Sequence, residues 1–315
     1  MIAYHILCHG NFEQVALLVE ALYCEEDTFL IDIDDGNKPN TKPVDHLARR
    51  PNVHVVRDAN IGWGGGGTLR KTIKGAFRLL KLNAHWKYYI VLSGQDMPLK
   101  SNESIKRFYS AGFEKGTNYI RNFKVDRIEV EDLAVSNKTA VCQLWGDRGH
   151  TRVYGKPGTI NPQDNHYARI LVDVTEVGEK GEVYVGLCDS LLQKRRELFF
   201  SQYPFHFGAN WFSLHRSLLD AMQHDAFAYE LYDVMRTTFI PDESYFQTYI
   251  NNTRFKNTSS QDYGRLILRP GPVPRVKVLD MDDWESIESS DALYARKFDI
   301  KHDKKLVKRV LAERR

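Results

Sequence analysis

The sequence predicts an α/β fold, a mostly parallel central sheet flanked by helices. Short apolar runs alternate with helical patterns through the first third of the chain and again through the last. Parallel strands joined by crossover helices require that alternation. The 315 residues are 42% hydrophobic and 27% charged, the balance of a soluble globular chain long enough to bury a sizeable core. We expect a single domain over 1–315.

The elements follow in order. Ile2–Leu7 is an apolar run that reads as a first strand. Phe12–Tyr23 carries Val15, Leu18 and Leu22 on one helical face. Phe29–Ile33 is a second strand, ending among Asp32, Asp34 and Asp35, and Val53–Val56 is a third. Thr68–Leu82 is a basic amphipathic helix with Leu69, Ile73, Phe77 and Leu80, and Tyr88–Leu92 is the most apolar strand. From about 118 to 200 the sequence is polar and β-prone, including Ala168–Val174 and Glu182–Val185. This excursion either shapes an acceptor site or only elaborates the body. Trp211–Leu214 then reads as a strand, Arg216–Gln223, Ala226–Arg236 and Glu243–Ile250 as helices, and Leu266–Leu268 and Val276–Leu279 as strands. A basic helix over about 302–314 closes the pattern, with Leu306, Val307, Val310 and Leu311 on one stripe.

Charge narrows the function. The chain has 44 basic and 41 acidic residues, a formal net charge of +3, without the basic excess of a nucleic-acid binder. Lys301–Arg315 alone carries seven Lys/Arg against Asp303 and Glu313, which leaves the rest near −2. This tail either packs on the body with its charges in water or touches an anionic membrane surface. Cys8, Cys24, Cys142 and Cys188 form no CxxC pair and read as reduced thiols. No stretch approaches the ~20 apolar residues of a membrane span, and the first residues run straight into a strand. A cytoplasmic location is expected, with peripheral contact at the inner face of the membrane as the variant through the tail.

Three motifs bear on chemistry. Gly62, Gly64 and Gly67 satisfy GxGxxG, but they follow the third strand, and no Asp or Glu occurs between Thr68 and Gly94, so a dinucleotide site is not indicated. Trp63 and the glycines after it make either a tight turn or a bare backbone that approaches a ligand. Asp32-Ile33-Asp34 at a strand end is a DxD that could hold a divalent cation on a diphosphate, or Asp34 could accept from a ribose. Pro241-Asp242-Glu243 reads as helix capping or as a general base held at a helix start. No metal ligand set is assigned.

Several segments in order resemble the core-2/I-branching β-1,6-N-acetylglucosaminyltransferases and their protein O-xylosyltransferase relatives. They are Ile2-Ala3-Tyr4, Phe29–Asp34, Trp63-Gly64-Gly65, Trp86–Lys100 with its core Leu92-Ser93-Gly94-Gln95-Asp96-Met97-Pro98-Leu99, Gly208–Phe212, Pro241-Asp242-Glu243 and Tyr294–Asp299. The chain is similar to a compact, bacterial-type member. The resemblance implies a GT-A-like nucleotide-sugar transferase fold and an inverting, metal-independent glycosyltransferase with no cofactor. It implies transfer from a UDP-sugar, GlcNAc favoured over xylose, to a hydroxyl of a glycan or lipid-linked glycan, as in polysaccharide biosynthesis. Glu243 falls on the catalytic base and Lys297 on one diphosphate-binding cation. Arg275 is the nearest candidate for the second cation, with Arg296 as helper. Asp34, Trp63 and Gly64 fall on the uridine side, and Asp96 and Trp211 beside the donor sugar or acceptor. Two rivals stand at this point. One is a metal-dependent transferase using Asp32 and Asp34; the other is a carbohydrate-binding protein that keeps the fold without the reaction.

Overall fold

A computed structural model describes residues 1–36, 40–58, 64–83, 85–126, 142–147, 150–154, 167–170, 172–177, 183–187, 190–270 and 276–314. The first half of the chain builds β1 (Ile2–Cys8), α1 (Phe12–Leu22), β2 (Thr28–Asp34), the one-turn α2 (Lys42–Asp45), β3 (Val53–Asp58), α3 (Gly66–Leu82) and β4 (Tyr88–Ser93). β1 lies between β2 and β4, β3 flanks β2, and all four run parallel. The apolar runs of β1, β2 and β4 are buried on both faces, which is why these strands were legible as continuous hydrophobic segments, whereas β3 at the edge is only partly buried. After them come β5 (Met97–Pro98), α4 (Asn102–Phe113), β6 (Asn118–Tyr119) and β7 (Asn122–Lys124).

The excursion contains β8 (Cys142–Asp147), β9 (His150–Tyr154), β10 (Val172–Val177) and β11 (Val183–Leu187), an antiparallel sheet in the order β10-β11-β8-β9. The rest supplies α5 (Ser190–Gln202), β12 (His206–Gly208), β13 (Ser213–His215), α6 (Arg216–Met222), α7 (Ala226–Met235), α8 (Tyr245–Asn251), β14 (Ser259–Ser260), β15 (Arg265–Ile267), α9 (Trp284–Glu288), β16 (Tyr294–Arg296) and α10 (Lys304–Glu313). β13 joins the main sheet antiparallel to β4, and the full order is β14-β6-β13-β4-β1-β2-β3. β15, β16 and β5 form a separate three-stranded sheet, and β12 pairs with β7.

Alternate residues of a strand face opposite sides, and the two faces of this sheet carry two cores. Tyr4, Ile6, Ile90 and Leu92 pack with α1, α4 and α10, whereas Ala3, Tyr89 and Val91 pack with α3, α6, α7 and α8. Helices therefore cover both faces, as the alternation predicted. Leu306, Val307 and Val310 of α10 are buried in the first core. Lys304 pairs with Glu13, and Arg309 lies 3.9 Å from the Trp284 ring centre. The tail helix thus turns its apolar stripe to protein, leaving only its charges to meet a membrane surface. Among the described residues no helix is long and apolar enough to cross a membrane.

Two sequence expectations need correction. Val276–Leu279 is not a strand: Lys277 N–H donates to Leu268 O at 2.9 Å, but Leu279 N–H donates to Lys297 O at 2.8 Å, so its hydrogen bonds go to two different neighbours and build no ladder. Glu243–Ile250 is not one helix. Pro241–Glu243 is a separate 3-10 turn, and Ser244, at φ −137° and ψ −26°, breaks the path into α8.

Candidate active site

Parallel strands deliver their carboxyl ends, and the loops that follow, to one edge of the sheet, where ligands of open α/β sheets bind. At that edge Asp32 is 5% exposed. Its Oδ1 meets Lys71 Nζ at 2.8 Å and its Oδ2 faces His5 Nε2 at 3.3 Å. Lys71 also donates to Ile33 O at 3.1 Å and Asp58 O at 3.3 Å, so one ammonium ties together the ends of β2 and β3. His5 Nδ1 lies 2.7 Å from the Tyr89 hydroxyl, which donates to Thr72 O. Burial pushes the Asp32 carboxyl up, but the bonds and charges of His5 and Lys71 outweigh it and hold the pKa below the usual value. Both Asp32 oxygens face nitrogens of the protein itself, so the DxD triplet does not present two waiting carboxylates.

Lys297 directly follows β16. Its N–H donates to Lys277 O, and the next N–H, from Phe298, donates to Gln95 O at 2.8 Å. The buried Gln14 of α1 joins this segment to the turn after β4: its Nε2 donates to Gly94 O at 2.9 Å and Phe298 O at 3.1 Å, and its Oε1 accepts from Ile300 N–H at 2.8 Å. His9, just past β1, reports on the surroundings. Desolvation lowers its imidazole pKa, Asp34 opposes and Lys297 adds to the lowering. Asp34, at the end of β2, and Lys297 are thus both within electrostatic reach of His9, just past the end of β1.

Beneath them is a buried bracket. Arg296 Nε lies 3.6 Å from Asp96 Oδ1, with the two side chains 5% and 1% exposed. The guanidinium sits 3.7 Å from the centre of the half-buried Trp211 ring. Burial lowers the Arg296 pKa against the opposing charge of Asp96. The other Asp96 oxygen accepts from Ser93 N–H. Asp96 and Arg296 thus face each other and support Trp211 from below, instead of facing solvent.

The turn after β3 approaches a second segment. Gly64 takes φ +83°, and its carbonyl accepts from Ile240 N–H at 2.7 Å. A Cβ at Gly64 would strike the Phe239 ring at 2.8 Å, and one at Gly66 would overlap the Arg236 carbonyl. These glycines serve the close approach of two chain segments. Ile240 itself is left-handed, φ 50° and ψ 55°, a conformation a β-branched residue adopts only where its surroundings impose it, at about 1–3 kcal/mol. Pro241, Asp242 and Glu243 follow at once. Glu243 is 32% exposed, and its Oε2 lies 2.8 Å from Arg169 Nη1. Asp242 is buried; burial first, and the neighbouring Glu243 charge second, push its pKa up to about 7.

The two halves share one edge of the sheet. One turn past Glu243, Gln247 Nε2 donates to Ala209 O at 2.9 Å. Two residues after Ala209 comes Trp211, whose ring covers Arg296, the neighbour of Lys297. By contrast, two open hollows of about 480 and 310 Å³ surround Phe113 and His215. His215 pairs with Tyr88 at the start of β4, so they lie at the opposite edge.

A model of the core-2/I-branching enzyme matches residues 2–132 and 182–268. The chain belongs to the core-2/I-branching enzyme family. Members of this family are glycosyltransferases, and the mostly parallel sheet agrees with their GT-A-like fold. Xylosyltransferase 2 of Canis lupus familiaris is 25% identical over 262 residues, covering 80% of this chain and 24% of that protein. Xylosyltransferase oxt of Drosophila melanogaster is 23% identical over 260 residues, again 80% and 24%. Xylosyltransferase 2 of Bos taurus is 31% identical over 126 residues, 38% of this chain and 14% of that protein. The chain spans about a quarter of the length of the first two.

Of the residues the family resemblance singled out, Asp34, Gly64, Trp211, Glu243 and Lys297 lie in segments that face this edge, while Asp96 and Arg296 are buried. Trp63 and Arg275 fall outside the described residues. Sequence reasoning missed Lys71, Gln14 and Arg169. Lys71 left a signal, since it shares the buried side of α3 with Leu69, Thr72, Gly75 and Ala76, and a lysine there demands an acid. Arg169, inside the polar excursion, left none.

Proposed function

We propose that this chain is an inverting, metal-independent glycosyltransferase that moves a sugar from a UDP-sugar to an acceptor hydroxyl of a glycan. One observation carries the reading: a partly exposed carboxylate, Glu243, follows the turn held on Gly64 after β3, and Lys297 follows β16 within electrostatic reach of His9 after β1, so both lie toward the carboxyl edge of the sheet. In a single displacement the acceptor oxygen attacks the anomeric carbon as the bond to UDP breaks, through an oxocarbenium-like transition state. Glu243 takes the proton from the incoming hydroxyl. The departing diphosphate gains negative charge, and Lys297 stabilises that charge more in the transition state than in the bound donor. Arg296 and Asp96 hold Trp211 as an apolar face for a sugar ring, and Asp34 accepts from the ribose or base. Arg275 remains the candidate for a second cation, and Trp63 for the uridine side.

The pairing of Asp32 with Lys71 supports the metal-independent form over the rival that uses Asp32 and Asp34. The names of the relatives favour xylose as the donor sugar over the GlcNAc favoured on the sequence. The test is UDP release over a panel of UDP-sugars that includes both, with and without EDTA. Turnover with one donor, unchanged by EDTA, is expected. Loss with EDTA and recovery with manganese would overturn the metal-independent reading. Glycan binding with no UDP release from any donor would favour the non-catalytic rival.

A further inference from the structure

We propose that Arg169 is a positioning residue for Glu243, delivered by a stretch of chain that lies outside the family match. The inference rests on the reading of Glu243 as the base. The match stops at residue 132 and resumes at 182, yet Arg169 lies between these limits, in the short 3-10 turn Tyr167–Ile170.

Arg169 grips the segment that carries the base in two ways. Its carbonyl accepts from Phe239 N–H at 3.3 Å, and its Nη1 donates to Glu243 Oε2 at 2.8 Å. Its side chain is 7% exposed, with the guanidinium 4.7 Å from the Phe207 ring centre. An arginine packed against an aromatic ring keeps one orientation, and its planar fork imposes that orientation on the carboxylate it meets.

A second arginine anchors the first. Arg196 of α5 is fully buried. Its Nη1 donates to Ile170 O at 3.1 Å, its Nη2 to Asp173 Oδ1 at 2.6 Å and Thr237 Oγ1 at 2.8 Å, and its Nε to Val234 O at 3.1 Å. Val174 N–H donates to Thr237 O at 2.9 Å, alongside a bridge between Asp173 and Thr238. Arg169, Ile170, Asp173 and Val174 are thereby stitched to residues 234–239, shortly before the base. A glutamate on a strained turn has several rotamers open to it. Holding one oxygen on a fixed guanidinium aims the other before the acceptor arrives, an advantage of about 10- to 30-fold in rate from the rotamer freedom no longer lost during the reaction.

The experiment is a double-mutant cycle on the full chain: R169M, E243Q and the pair. The readouts are UDP release from UDP-xylose and UDP-GlcNAc with water as acceptor, the affinity for UDP, and the melting temperature. E243Q is expected to lower kcat by about 10²- to 10⁴-fold, and R169M by about 10- to 30-fold with UDP affinity unchanged. In the E243Q background R169M should add nothing, because its effect passes through the carboxylate. If R169M melts below the assay temperature, the same cycle is run with R169K, which keeps the charge and loses the fork. An impaired E243Q whose loss multiplies with that of the Arg169 variant overturns the inference alone, as does an Arg169 variant with wild-type kcat. A fully active E243Q overturns the base assignment, and this inference falls with it.

Discussion

Asp32 and Glu243 each meet a cationic nitrogen at 2.8 Å, Lys71 Nζ in one case and Arg169 Nη1 in the other. The distances are equal and the settings are not. The Asp32 and Lys71 side chains are 6% and 3% exposed, so water reaches neither. In the second pair the arginine is 7% exposed but the carboxylate is 32% exposed. The first pair closes on itself and holds the ends of two strands. The second holds a carboxylate still while one side of it stays open to an incoming hydroxyl. Burial, not the length of the ion pair, separates a structural acid from one able to do chemistry.

Three measurements break or sharpen this contrast. The largest expected effect is on folding. K71M strands a buried carboxylate, and removing one partner of a buried pair costs about 3–5 kcal/mol. E243Q keeps an acceptor oxygen on a partly exposed side chain and should stay within about 1 kcal/mol. Denaturant titration of both variants checks this, and a K71M protein as stable as wild type would empty the comparison. Next is K297A, which removes a cation that belongs to neither pair. We expect a loss of about 2–4 kcal/mol in transition-state stabilisation, read as a fall in kcat/KM with little change in melting temperature. An unchanged rate would move the neutralisation of the diphosphate to another residue.

The smallest expected effect concerns Asp242, next to Glu243. Its folded pKa of about 7 lies above the ordinary aspartate value of 3.8. The native state therefore holds this proton more tightly than the unfolded chain. The corresponding stability is complete below about pH 4 and is lost as pH rises through 7. Asn at this position cannot ionise. Between pH 5 and 8 the melting temperature of D242N should fall less than that of wild type. Parallel curves would mean that Asp242 does not titrate in this range.

The legibility of the sequence followed the same division. β1, β2 and β4 were readable nearly to the residue, because strands buried on both faces are continuous apolar runs. α4 was missed, since only Ile105, Tyr109 and Gly112 of its residues are buried. Its start was marked by Ser101, whose side chain accepts from Ser104 N–H. α5 was missed because one of its few buried residues is an arginine, Arg196. Glu243 and Lys297 were found through motif resemblance, and the glycine turn was noticed for its composition. Its purpose was not legible, because Phe239 and Arg236, which the glycines admit, lie far along the chain.

The sequence by itself determined the parallel α/β body and the order of the strands along the chain, since each depends on local pattern, and motif resemblance, not local pattern, pointed to the candidate base. Only the tertiary structure decided which acid is engaged and which is open. Arg169 and Glu243 are 74 residues apart, and Arg169 sits in a polar stretch whose periodicity carries no signal. A side chain's partner and its access to water are properties of packing, and no local pattern encodes them.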